Sequence, residues 1–240
     1  MTVSYDIIEV LPNVFAIIVP NQKSRAMLFI RAQEYYESPN KKYRGKIFDV
    51  EKYLEWYNCS KYAGIRCSSR AYVNDWPGFN MPYDVASRCY DKLLKRPDLM
   101  TPYDTEFYKI LRYISHHKSP GKAYIIGTNS LHSPTTFHEM RHALYYMDID
   151  YRKHTQRLLR MIPSKIYSKY KRNLKDMGYD DNVIDDELQT YIGTNDWDFP
   201  QLIKNIPRTI ARELHHIFLA LFKYYVVTDL KISRRTVDAM

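Results

Sequence analysis

The segment Thr135-Thr136-Phe137-His138-Glu139-Met140-Arg141-His142-Ala143-Leu144-Tyr145 decides how the rest of the chain is read. No Gly or Pro interrupts Phe137 to Met147, Ser133 is placed to cap a helix, and Pro134 suits its first turn. At about 100° per residue, Phe137, Met140, Ala143, Leu144 and Met147 fall on one apolar arc. His138 and His142 share another arc, with Glu139 at its edge. Two imidazoles one helical turn apart reach a single metal ion, and a glutamate beside the first is placed to take a proton from water on that metal. The pattern also arises by chance, and the plain alternative is a helix with two histidines on a polar face. An amphipathic helix around the pattern, and a candidate third ligand downstream, favour the metal.

A catalytic zinc keeps one position open for water, so three protein ligands are expected. Three acids compete for the third place. Asp148 lies six residues after His142, where metzincin-type proteases put their last ligand, but the glycine they carry midway is Tyr145 here. Asp196, in Gly193-Thr194-Asn195-Asp196, is faintly similar to the aspartate motif of deuterolysin-type proteases without its tyrosine and glycine. Glu187 is the stronger candidate. It falls between the apolar positions Ile184, Leu188 and Tyr191 and is expected to face inward, whereas Asp185 and Asp186 flank the stripe and point to solvent. A buried carboxylate needs a partner; a metal supplies one, and an arginine such as Arg212 is the alternative.

His138-Glu139-Met140-Arg141-His142 followed 45 residues later (187 − 142) by Glu187 resembles the gluzincin group of zinc metallopeptidases. The resemblance implies Zn²⁺ held by His138, His142 and Glu187, Glu139 as general base, and a peptide or protein substrate. It also implies an α+β, mostly helical, zincin-like fold with a small mixed sheet over the active-site helix. Many members carry an Asp four residues after the ligand Glu to support a ligand histidine; this chain has Tyr191 there. Tyr191, His154, His215 and His216 are the candidate donors to a developing oxyanion. A wider likeness, carried by Tyr36 to Asn40, Asp75 to Pro82 and Ala143 to Tyr146, is to uncharacterised proteins of phages and large DNA viruses. It implies a viral protein working in host cytoplasm.

Composition bounds the alternatives. A chain of 240 residues with 45% hydrophobic content is long enough for one large domain with a substantial core. A strand and helix half (1–130) precedes a helical half (131–240) that carries the metal ligands. Gly is sparse, at 7 residues, and no glycine-rich phosphate loop occurs. No signal peptide or membrane span is evident. Cys59, Cys67 and Cys89 have no metal-type spacing and read as reduced cytosolic thiols. The net charge of +9 is concentrated between Arg152 and Lys175, a stretch with nine basic residues. Its plain reading is two helices with solvated faces. Its functional reading is a surface for nucleic acid or another polyanion. The competing function is therefore a basic nucleic-acid- or protein-binding protein with a structural or vestigial zinc site.

Along the chain, 5–10 and 14–19 read as strands, and Asn21 caps a helix over 22–37 that Ser38-Pro39-Asn40 stops. Helices are expected over 48–57, 83–94, 105–116, 182–192 and 207–227, with an irregular stretch over 58–81. Ala123-Tyr124-Ile125-Ile126-Gly127 is the clearest central strand, and its position suggests an exposed edge forming one wall of a peptide cleft.

Overall fold

A computed structural model describes residues 3–60, 62–63, 67–194 and 196–230. The fold is α+β and 59% helical, with one small mixed sheet of four strands. Met1–Thr136 and Phe137–Met240 form two compact units.

In the first unit, β1 (Asp6–Leu11) and β2 (Val14–Ile18) make an antiparallel hairpin that turns at Asn13, where φ is 60°. β2 runs parallel to β4 (Tyr124–Thr128), which pairs on its other side with antiparallel β3 (Phe79–Pro82). The order is β1-β2-β4-β3, so β4 is interior and offers no edge to a peptide, contrary to the expectation for 123–127. The apolar runs of β2 and β4 are buried along their whole lengths, as strands covered on both faces require. β3 lies in the stretch expected to be irregular. Only four residues long and ending in Pro82, it carries no readable alternation, and a proline without an N–H suits an edge strand.

Among the described residues this unit also holds the α-helices α1 (Gln22–Glu37), α2 (Val50–Cys59), α3 (Ala71–Asp75), α4 (Tyr83–Leu93) and α5 (Pro102–His117), and a short 3-10 turn at Pro97–Leu99. α1 has the bounds its sequence suggests, and the Asn21 side chain accepts from the Ser24 N–H at 2.8 Å. α5 starts earlier than expected because Thr101 and Asp104 form a reciprocal cap across its first turn. α1 is buried on nearly every side from Arg25 to Tyr35. Its buried Arg31 pairs with Asp104 through Nε (2.7 Å) and Nη2 (3.0 Å), and donates to the carbonyls of Phe48 and Leu99. At Gly127 the absent side chain leaves room for the Phe29 ring, which a Cβ would meet at 2.5 Å.

The helix quoted first, α6 (Pro134–Met147), begins at the boundary between the units; the Ser133 hydroxyl accepts from the Thr136 N–H at 3.2 Å, as a cap should. The second unit continues with α7 (Ile149–Met161), α8 (Ser164–Asp176), α9 (Ile184–Gly193) and α10 (Arg208–Leu230). Its core gathers Leu159, Tyr170, Leu174, Leu188, Ile192 and Phe218 among others. The three cysteines are free thiols. Among the described residues no helix is long and apolar enough to cross a membrane.

Candidate metal centre

Two helices of the second unit bring the predicted ligands together. α6 carries His138 and His142 one turn apart, and α9 carries Glu187; one ligand atom from each lies within 4.8 Å of the others. Glu187 turns inward because Ile184 and Leu188 on either side of it are buried in the core. Its Oε2 is 3.8 Å from His142 Nε2, is itself buried, and has no hydrogen-bond partner. An orphaned buried carboxylate oxygen is costly, and a cation between it and the two imidazoles removes that cost. Burial raises the pKa of Glu187, with His142 and His138 pulling the other way. Its alternative partner, Arg212, instead sits exposed on α10.

The surroundings of the histidines correct the sequence reading. Asp186, expected to face solvent, places Oδ1 3.0 Å from His142 Nδ1. Adjacent positions on a helix differ by about 100°, so Asp186 reaches the far side of the ring whose near side faces Glu187. Asp196, weighed as a ligand, instead places Oδ2 3.6 Å from His138 Nδ1. The imidazole beside it holds the Asp196 carboxyl below the usual range. Asp148 is not part of the set: its side chain caps α7, accepting from Asp150 N–H (2.7 Å) and Tyr151 N–H (2.8 Å). Burial opposes charge on His142, yet Asp186, Glu187 and Glu139 overcome it and lift the imidazole to about 10. Such a strongly negative pocket holds a proton when no other cation is there.

Glu139 is buried beside His138 in sequence, 6% exposed. Of the four candidate oxyanion donors, only Tyr191 lies against a ligand ring, 5.2 Å from His138 between centroids. Its hydroxyl shares a 3.0 Å hydrogen bond with Tyr179, and burial pushes its phenol up to about 12, so it stays a donor at neutral pH. The others are engaged elsewhere. His154 Nδ1 is 2.6 Å from the Tyr225 hydroxyl, His215 Nδ1 is 2.9 Å from the Ile192 carbonyl, and His216 lies against His215.

Sequence reasoning missed Arg141. Hydropathy assigns it to solvent, but it is 1% exposed. Its guanidinium donates to the carbonyls of Gly193 (2.5 Å) and Phe218 (3.2 Å) and lies over the Phe222 ring at 4.2 Å. It thereby ties the histidine helix to the end of the Glu187 helix, and a Cβ at Gly193 would overlap the guanidinium and force it to shift. Arginine buried at a helix–helix junction carries no periodic signal.

The basic stretch is partly neutralised. Lys171 and Lys175 meet Asp181 at 2.8 and 2.7 Å, Lys153 meets Asp150 at 3.5 Å, and Lys169 donates to the Asn205 carbonyl at 2.6 Å. No protein-family model, no curated protein and no solved structure matches the chain.

Proposed function

We propose that the second unit binds one Zn²⁺ through His138, His142 and Glu187 and hydrolyses peptide bonds. The observation that carries this reading is the buried Glu187 Oε2, without a hydrogen bond, grouped with two imidazoles from another helix. Zinc prefers tetrahedral N and O donors with bonds of about 2.0–2.2 Å, and two histidines with one carboxylate supply such a set while leaving a position for water. The His138, His142 and Glu187 set resembles the gluzincin pattern in ligand types and order, and a zincin-like fold is part of the same proposal.

When bound, the ion acidifies water and polarises the scissile carbonyl. The chain supplies the rest. Glu139 accepts the proton of the attacking water and returns it to the leaving amine. Asp186 holds the Nδ1 proton of His142 and so leaves Nε2 free as the ligand atom, and the Asp196 carboxylate stands 3.6 Å from Nδ1 of His138. Tyr191, braced by Tyr179, donates to the oxygen on which negative charge develops.

Metal analysis of protein purified without added metal, and again after zinc reconstitution, tests the reading. About one Zn²⁺ per chain is expected, with most of it lost in Glu187→Ala. A chain that holds no zinc after reconstitution, or holds as much without Glu187, overturns it.

A further inference from the structure

α7 and α10 flank an open groove of about 310 Å³ lined by His154, Arg157, Leu158, Leu221, Tyr224 and Tyr225. On α10, Ile217, Ala220, Leu221 and Tyr224 recur at i, i+3, i+4 and i+7, the spacing that normally faces a core. Here Ile217 is 46% and Tyr224 65% exposed. On α7, His154, Arg157, Leu158 and Met161 follow the same spacing, and Met161 is 73% exposed. Large apolar side chains this exposed, on the two helices that line the groove, are the kind of surface that marks an interaction site.

Charge identifies the partner. Arg157 lines the groove and Arg160 follows it three residues later on α7, both exposed, while Lys153, Lys169, Lys171 and Lys175 are held by Asp150, Asp181 and the Asn205 carbonyl. We propose that this groove binds an amphipathic, acidic peptide segment of a partner protein, with aliphatic side chains seated in it and carboxylates on Arg157 and Arg160. Helix-in-groove recognition uses this combination of an apolar stripe and a complementary charged rim. A nucleic acid fits less well, because its phosphates would lie against Ile217, Leu221 and Met161. A symmetric second copy would bring two sets of the same arginines into one interface. Residues 231–240 of the chain carry three cations and one acid, the wrong balance for the rim.

Fluorescence anisotropy with a synthetic helical peptide tests this, in EDTA so that the result is independent of any metal. The peptide carries Leu at i, i+3, i+4 and i+7 flanked by Glu; its controls are a scrambled sequence and a Lys-for-Glu version. The acidic peptide is expected to bind roughly tenfold or more tightly than either control. Ile217→Glu, and separately Arg157→Glu with Arg160→Glu, should each weaken it about tenfold. These exposed positions should leave the circular dichroism spectrum unchanged. Equal binding of the scrambled peptide, no binding at all, or indifference to the folded variants overturns the proposal. So does a surface that takes up a DNA duplex or phosphatidylserine vesicles but not the acidic peptide.

Discussion

Glu34→Gln should make the first unit more stable above neutral pH and leave it almost unchanged in acid. Glu34, on α1, is 1% exposed, and neither carboxylate oxygen has a well-formed hydrogen bond. Burial raises its pKa from the usual 4.5 to about 7; the nearby hydroxyls of Tyr53, Ser38 and Tyr72 and the charge of Arg44 offset only part of this. The folded state therefore keeps a proton that the unfolded chain releases between those values. Stability from this group is fully present below pH 4.5, falls as pH rises through 7, and is gone above it. At about 1.4 kcal/mol per pH unit, the gap from 4.5 to about 7 corresponds to about 3 kcal/mol. Gln keeps a carbonyl oxygen for the tyrosine hydroxyls and has no charge to bury.

The assay is urea unfolding from pH 4 to 8.5, followed by tryptophan fluorescence. Trp197→Phe in both proteins leaves Trp56 and Trp76, which belong to the first unit and report on it alone. Subtracting the two pH profiles removes every other titrating group. The variant should gain about 3 kcal/mol over wild type between pH 4 and 8.5. Parallel profiles, with a difference that does not change across this window, would refute the idea that Glu34 is buried protonated.

Other consequences concern the second unit. Glu139→Gln should keep its zinc and lose peptide hydrolysis by ~10²–10⁴-fold, the usual contribution of a general base, measured with a peptide-library digest and metal analysis side by side. Asp186→Asn should weaken zinc binding by roughly 10–100-fold in competition with a chromophoric chelator, without changing the number of sites. Gly193→Ala should destabilise this unit by about 3 kcal/mol, since overpacking costs about 1–3 and the Arg141 hydrogen bonds are disturbed as well. Urea unfolding followed by Trp197 fluorescence reports it.

The parts of the fold legible in the sequence are those with local causes. Asn21, and the Ser38-Pro39-Asn40 stop, bound α1 because capping and proline geometry act within a few residues. β4 was legible as a strand but not in its place in the sheet, because a continuous apolar run states burial and says nothing of neighbours. β3 was too short to show a period at all. Arg141 and Glu34 were hidden for one shared reason. A charged residue within a helix is assigned to water by hydropathy, and what permits its burial is a partner or a proton supplied by residues distant in sequence.

The candidate site divides along the same line. Its candidate ligands follow from helical spacing: His138 and His142 are i and i+4, and Glu187 sits between inward apolar positions. The groups around them do not, because several different sequence positions satisfy one spatial requirement. A carboxylate on the outer nitrogen of a ligand histidine fixes its tautomer wherever that carboxylate comes from. The gluzincin pattern draws it from four residues after the ligand glutamate. Here that position is Tyr191, which lies by the His138 ring, while the carboxylates come from Asp186 and Asp196. Asp186 and its neighbour Glu187 face opposite ring nitrogens of His142, so one turn of α9 brackets the imidazole with two acids. The departure at Tyr191 therefore leaves both histidines with an adjacent carboxylate, and frees a neutral hydroxyl to stand beside them as a donor.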